Sequence, residues 1–246
     1  MKTSGNTVLI TGGSSGIGLA LAEKFLKLGN TVIICARGGA GLDEAKNRLQ
    51  AVHIRKCDIS KENERKELCD WIAGSFPELN VLINNAGIQR KINLADIDEL
   101  VKNDDEIEIN LRSQIYLASR LVPLLSKRPE AAIVNVSSGL GFVPLAIFPV
   151  YCATKAAIHS FTLSLRYQLK NTPIKVFEVI PPTVYDTHLK GKPIEKTEWS
   201  VSAQEVASAV ISGIEKDRYQ IAVGPSEKWV NSSNSEKDQI FGSINH

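Results

Sequence analysis

Apolar runs of four to seven residues recur along the chain, each followed by a turn and then by a stretch of helical periodicity. Thr7-Val8-Leu9-Ile10 predicts a buried strand, and the following pattern predicts a helix over about 16–28, closed by Gly29-Asn30. Further strands are expected at 31–36, 52–57, 81–84, 132–136, 174–180 and 219–223, with helices at 43–49, 62–76, 105–125, 149–170 and 203–216. Strands apolar on both faces, alternating with helices, predict an α/β fold: a doubly wound parallel sheet, in a single domain. From Gly224 the chain becomes rich in Ser, Asn and Lys, so residues 1–224 are read as the domain and 225–246 as a polar, partly ordered tail.

Composition narrows the function. Of 246 residues, 43% are hydrophobic and 23% charged, as in a soluble protein with a sizeable core. The net charge of +2 is spread along the chain, which speaks against nucleic acid or an anionic membrane as partner. No run of 18 apolar residues or leader pattern is present. Cys35, Cys57, Cys69 and Cys152 lack a Cys-x-x-Cys spacing, so free thiols in a reducing cytoplasm are expected. His53, His159, His188 and His246 are scattered, and no metal site is expected.

The chemistry centres on Pro149-Val150-Tyr151-Cys152-Ala153-Thr154-Lys155, which places a phenol and an ammonium on one face of a helix. Unit charges roughly 5–6 Å apart at an effective dielectric of about 20 interact by roughly 3 kcal/mol. That is about 2 pKa units, enough to bring a phenol toward acid-base work at neutral pH. Upstream, Thr11-Gly12-Gly13-Ser14-Ser15-Gly16-Ile17-Gly18 lies between the first strand and a helix, where glycines let the backbone approach a pyrophosphate on the helix N-terminus. Asn84-Asn85-Ala86-Gly87 ends the fourth strand, at the sheet edge where such folds bind ligands. Asp58 either accepts from an adenine amino group or caps the next helix. Ser138 ends the fifth strand, thirteen residues before Tyr151, where a hydroxyl can donate to a developing oxyanion.

Together, in order and spacing, Thr11-Gly12-x-x-x-Gly16-x-Gly18, Asn84-Asn85-Ala86-Gly87, Ser138 and Tyr151-x-x-x-Lys155 resemble the short-chain dehydrogenase/reductase family over about residues 6–223. Asn84 to Gln89, Pro149 to Ala157 and Pro181-Pro182 are similar to its DltE-like oxidoreductases. The resemblance implies a Rossmann-type fold and a catalytic tetrad. Tyr151 would be the proton donor-acceptor, Ser138 would hold the substrate oxygen, and Lys155 would lower the phenol's pKa and bind the nicotinamide ribose. Asn110 would anchor a water that relays protons to Lys155. It further implies a dinucleotide held by Gly12, Ser14, Ser15, Gly16, Ile17, Gly18, Arg37, Asp58, Ile59, Asn84, Ala86, Gly87, Tyr151, Lys155, Val184 and Thr187.

The sixth strand ends in Pro181-Pro182-Thr183-Val184-Tyr185-Asp186-Thr187, where family members carry Pro-Gly and a Thr one residue earlier. A substrate loop is expected over about 183–201, polar and containing Gly191, Pro193 and Trp199. Phe142, Val143, Leu145, Phe148, Tyr185 and Trp199 suggest a partly apolar pocket.

After the second strand, Ala36 stands where the family places an acidic residue for the NAD ribose, and Arg37 follows. The next carboxylate in sequence is Asp43, so NADP(H) is expected in preference to NAD(H). Leu117, Leu121, Phe161 and Leu165 give the 105–125 and 149–170 helices more than one apolar stripe, which predicts a homodimer or homotetramer. The function read from these features is hydride transfer between NADP(H) and a small-molecule carbonyl/alcohol pair. The alternative is a protein that senses the dinucleotide without turnover.

Overall fold

The computed structural model describes residues 1–96, 105–187, 189 and 195–245. Its centre is a seven-stranded parallel sheet built from β1 (Thr7–Thr11), β2 (Thr31–Ala36), β3 (His53–Lys56), β4 (Val81–Asn84), β5 (Ala131–Val136), β6 (Ile174–Ile180) and β9 (Gln220–Ala222). The spatial order is β3-β2-β1-β4-β5-β6-β9. The order reverses between β1 and β4, and the crevice at the carboxyl ends of those strands is where open α/β sheets take ligands.

Alternation along the strands divides the core into two layers. Val8, Ile10, Val32 and Ile34 meet Leu21 and Phe25 of α1 (Gly16–Lys27), Leu42 of α2 (Gly39–Leu49) and Val206 and Val210 of α6 (Ala203–Glu215). Leu9 and Ile33 point the other way, with Leu82 and Ile133, into the layer of α3 (Glu62–Ser75), α4 and α5 (Pro149–Gln168). The helix α4 runs through Asp105–Ile107, a π turn at Glu108–Arg112, and Ser113–Leu125. The π turn widens the helix where Asn110 sits, as such turns often do at functional sites.

The expected elements are present, with ends that differ by up to four residues. Two features differ in kind. Residues 183–201 are closed at their base by a two-strand pair, β7 (Thr183–Val184) against β8 (Ser200–Val201). Within that loop, His188, Gly191 and Pro193 lie outside the described residues. The polar segment after Gly224, expected to be only partly ordered, forms α7 (Ser226–Asn231) and α8 (Asn234–Ile244). A reciprocal capping box, Ser233 with Glu236, starts α8 and satisfies backbone N–H groups at its N-terminus.

The apolar stripes assigned to subunit contact are largely used within the chain. Leu117, Leu121 and Leu165 are buried in its own second layer, and Phe161 packs against it. The large apolar side chains left exposed on α5 are Leu163, 45% exposed, and Tyr167, 70% exposed.

Candidate active site

The glycine loop is fastened to the turn after β4. Thr11 Oγ1 accepts hydrogen bonds from the backbone N–H groups of Asn85 and Ala86, each at 3.0 Å. Asn85 returns a bond from Nδ2 to Thr11 O at 2.9 Å. Gly12, at φ +65°, lies so close that an added Cβ would stand 2.9 Å from Ala86 Cα. A Cβ on Gly18 would stand 2.3 Å from Gly12 O, so the first turn of α1 can lie on the loop only with glycine there. Ser15, at the N-cap, makes no side-chain cap, which leaves the N–H groups of this helix end free for an anion. This bare-backbone cradle fits a pyrophosphate.

The carboxyl ends of β5 and β6 bring the second set of groups. Tyr151 and Lys155 are both buried on α5. Lys155 Nζ donates to Val136 O at 2.8 Å and stands 5.5 Å from the centre of the Tyr151 ring. A Cβ on Gly87 would come within 3.6 Å of that Nζ and 3.3 Å of Asn110 Oδ1. Asn110 accepts from Ile88 N and donates to Ile88 O, both at 2.8 Å, and donates to Thr154 Oγ1 at 3.3 Å. Its side chain therefore fixes the turn beside Lys155.

Two adjacent serines separate by their partners. Ser137 Oγ donates to Glu178 Oε1 at 2.6 Å, and the other oxygen of that buried carboxylate is paired with His159 Nδ1 at 2.9 Å. Ser138 Oγ accepts from Leu140 N at 3.2 Å and is hydrogen-bonded to the Tyr151 phenol, so its proton points to the oxygen site rather than to the core. Of the two, Ser138 is the hydroxyl able to donate to a ligand oxygen.

The titration of the pair departs from the sequence expectation. Burial pushes the Tyr151 phenol up, and the hydrogen bond with Ser138 opposes this only in part. Burial brings Lys155 down to about 8, with the Glu106 carboxylate pulling the other way. Desolvation dominates, so Tyr151 holds its proton at neutral pH.

One cavity of about 710 Å³ joins both sets, within the range of roughly 300–1,000 Å³ typical of ligand pockets. Of the anticipated residues, Gly12, Ser14, Ser15, Gly16, Ile17, Arg37, Ile59, Ala86, Gly87, Ser138, Tyr151, Lys155, Val184 and Thr187 line it. Gly18, Asp58, Asn84 and Asn110 stand behind that lining. Asn84 donates to Asn135 Oδ1 at 3.0 Å inside the core. Asp58 Oδ1 accepts from the backbone N–H and the hydroxyl of Ser60, at 3.0 and 2.8 Å, forming a local turn. Thr187 reaches the glycine loop despite the altered spacing: a Cβ on Gly16 would be 3.0 Å from its Cγ2.

The chain matches the family model described as short chain dehydrogenase over residues 6–198. The chain belongs to the short-chain dehydrogenase/reductase family. Among the relatives of this chain is the uncharacterized oxidoreductase DltE of Bacillus subtilis, 45% identical over 249 residues, covering 100% of this chain and 98% of that protein. Similar solved structures include a family member from Burkholderia phymatum in complex with NAD, with a TM-score of 0.84 at 21% identity, covering 98% of this chain and 96% of that one. Another is a short-chain dehydrogenase from Sphingobium yanoikuyae in complex with NADPH, with a TM-score of 0.79 at 26% identity, covering 97% and 93%.

Three features of this chain are not apparent from its sequence. Asp105, distant from Arg37 in the chain, lies close enough to feel its charge, so a carboxylate does stand near the expected phosphate site. Arg90 holds that carboxylate through both of its oxygens, which offsets its charge. Glu106 is fully buried one helical turn before Asn110, and burial raises its carboxyl to about 7. Finally, Lys228, Trp229, Ile240, Ser243 and Ile244 of the C-terminal helices line the cavity. Of the residues expected to make the pocket apolar, Leu145 and Trp199 line it, whereas Phe142, Val143, Phe148 and Tyr185 are not among its lining residues.

Proposed function

We propose that the protein is an NADP(H)-dependent oxidoreductase acting on a carbonyl/alcohol pair. The observation that carries this reading is the convergence of the glycine cradle with Ser138, Tyr151 and Lys155 in one cavity. The relatives crystallised with NAD and with NADPH support a nicotinamide dinucleotide along the same edge of the sheet.

Bound there, the nicotinamide supplies or accepts the hydride at the carbonyl carbon. In reduction, Tyr151 passes its phenolic proton to the substrate oxygen, and Ser138 donates a hydrogen bond to the same atom. A buried, protonated phenol suits the role of donor. Lys155, fixed on Val136 O, presents its ammonium beside the phenol and toward the ribose. Asn110 keeps the Gly87-Ile88 turn and Lys155 in register. Arg37, exposed at the end of β2 and lining the cavity, pairs with the 2′-phosphate. Residues 183–201 act as the substrate loop. The enzyme works in the cytoplasm as a homodimer or homotetramer, with exposed Leu163 and Tyr167 in the subunit contact.

A screen of ketones and diketones with NADPH, followed by loss of nicotinamide absorbance, tests the reading. Saturable oxidation of NADPH by at least one carbonyl class is expected. Tight dinucleotide binding with no turnover across the panel would instead favour a sensing role.

A further inference from the structure

The far end of the cavity is walled by the last twenty residues of the chain. Helix α7 is seated beside Ser138: a Cβ on Gly139 would come within 2.7 Å of both Ser226 Oγ and the Trp229 ring. Helix α8 carries no buried residue and is held at its end by Asn245. Asn245 Oδ1 accepts from Ala146 N at 2.6 Å, and its Nδ2 donates to Pro144 O at 3.1 Å and Phe241 O at 2.9 Å. Ile240 and Ile244, one turn apart on α8, thereby line the same cavity as Leu140, Leu145, Trp199 and Trp229.

We propose that α7 and α8 form the substrate-recognition wall, and that the substrate is a ketone with a bulky, uncharged apolar body. This rests on the carbonyl oxidoreductase reading. The charges of the described residues near the site argue against a keto acid. Among the described residues, the cations lining the cavity are Arg37, Lys155 and Lys228. Arg37 lies beyond β2, on the other side of the glycine loop from β5 and β6. Lys155 is bonded to Val136 O, and Lys228 is exposed and close enough to Glu236 to help hold that carboxyl's pKa down. Among the described residues, a carboxylate beside the reacting carbonyl would thus be buried without a cation of its own, which is costly. An alkyl or aryl body gains from each methylene withdrawn from water against the isoleucine and tryptophan side chains.

The test is the rate of NADPH oxidation with 2-butanone, 2-hexanone, 2-octanone and 2-oxooctanoate. We expect kcat/KM to rise about two- to fourfold per methylene through the ketones, and 2-oxooctanoate to be about tenfold poorer than 2-octanone. The double substitution Ile240→Ser, Ile244→Ser removes no buried side chain, and should flatten the rise from 2-butanone to 2-octanone. Binding is read separately, from quenching of Trp199 and Trp229 emission by 2-butanol, 2-hexanol and 2-octanol. If no ketone turns over but the alcohols still bind in order of length, the oxidoreductase reading fails and the apolar wall stands. Rates and binding indifferent to length, preference for 2-oxooctanoate, or an undiminished series in the double variant would overturn the inference.

Discussion

The ammonium of Lys155 is held 2.8 Å from the carbonyl oxygen of Val136 and 5.5 Å from the centre of the Tyr151 ring. Its charge is therefore fixed in place but costly to keep, and burial lowers its pKa to about 8. The group is cationic below that pH and neutral above it. For the free enzyme, kcat/KM for reduction should fall about tenfold per pH unit on the alkaline side of about 8. A profile flat through pH 9.5 would show that this charge is not needed.

Glu106 gives a pH signature in stability. Its folded pKa of about 7 lies above the ordinary 4.5, so between those values the native state keeps a proton that the unfolded chain has released. Stability from this group is greatest below about pH 4.5 and is lost as pH rises to about 7. Glu106→Gln removes the dependence. Relative to wild type, the variant should gain on the order of 3 kcal/mol between pH 4.5 and 8. Urea unfolding of both proteins at the two pH values is the check, and a constant difference between them would contradict the assignment.

Gly18 tests the loop. A Cβ there would stand 2.3 Å from Gly12 O and 2.6 Å from Asn85 Nδ2, and the carbonyl belongs to the backbone and has little room to move. Gly18→Ala should destabilise the fold by about 1–3 kcal/mol and weaken NADH and NADPH alike. Unchanged stability and affinity would show that the helix can retreat from the loop.

Arg37 should affect one cofactor and spare the other. A charge-assisted bond of about 1.5–3 kcal/mol predicts a preference for NADPH over NADH of roughly ten- to hundredfold. Arg37→Ala should remove most of that preference and leave NADH binding nearly unchanged. Asp105 makes the lower part of the range the closer expectation, because it lies near Arg37 while Arg90 holds it. Equal wild-type dissociation constants would rule out a phosphate contact.

Most of the fold was legible because strand and helix periodicities are local. Val8, Leu9 and Ile10 already carried the alternation that divides the core into its two layers. The cavity edge was legible through the glycine spacing and the Tyr151-Lys155 pair, which are also local. What escaped depends on contacts far apart in sequence. Asp105 nears Arg37 only in the folded chain, since they lie 68 residues apart in sequence. The phenol's pKa follows its burial, which the four-residue spacing to Lys155 does not encode. The apolar stripes of α4 and α5 suggest a subunit contact when taken alone, yet Leu117 and Leu121 are taken up by the chain's own layer. The tail did carry a signal: Ser233-Asn234-Ser235-Glu236 is a capping-box sequence, and Ile240 and Ile244 follow at helical spacing. Its Ser, Asn and Lys content outweighed that signal because α8 buries none of its side chains fully.

In the proposed reaction Tyr151 transfers the proton that accompanies the hydride. The most direct measurement compares wild type with Tyr151→Phe, recording steady-state reduction of a carbonyl substrate and, on the same samples, the dissociation constant for NADPH. Removing the one transferable proton while keeping the ring in its buried seat should lower kcat by at least about a thousandfold and leave NADPH affinity within about threefold. Wild-type turnover by Tyr151→Phe would contradict the account.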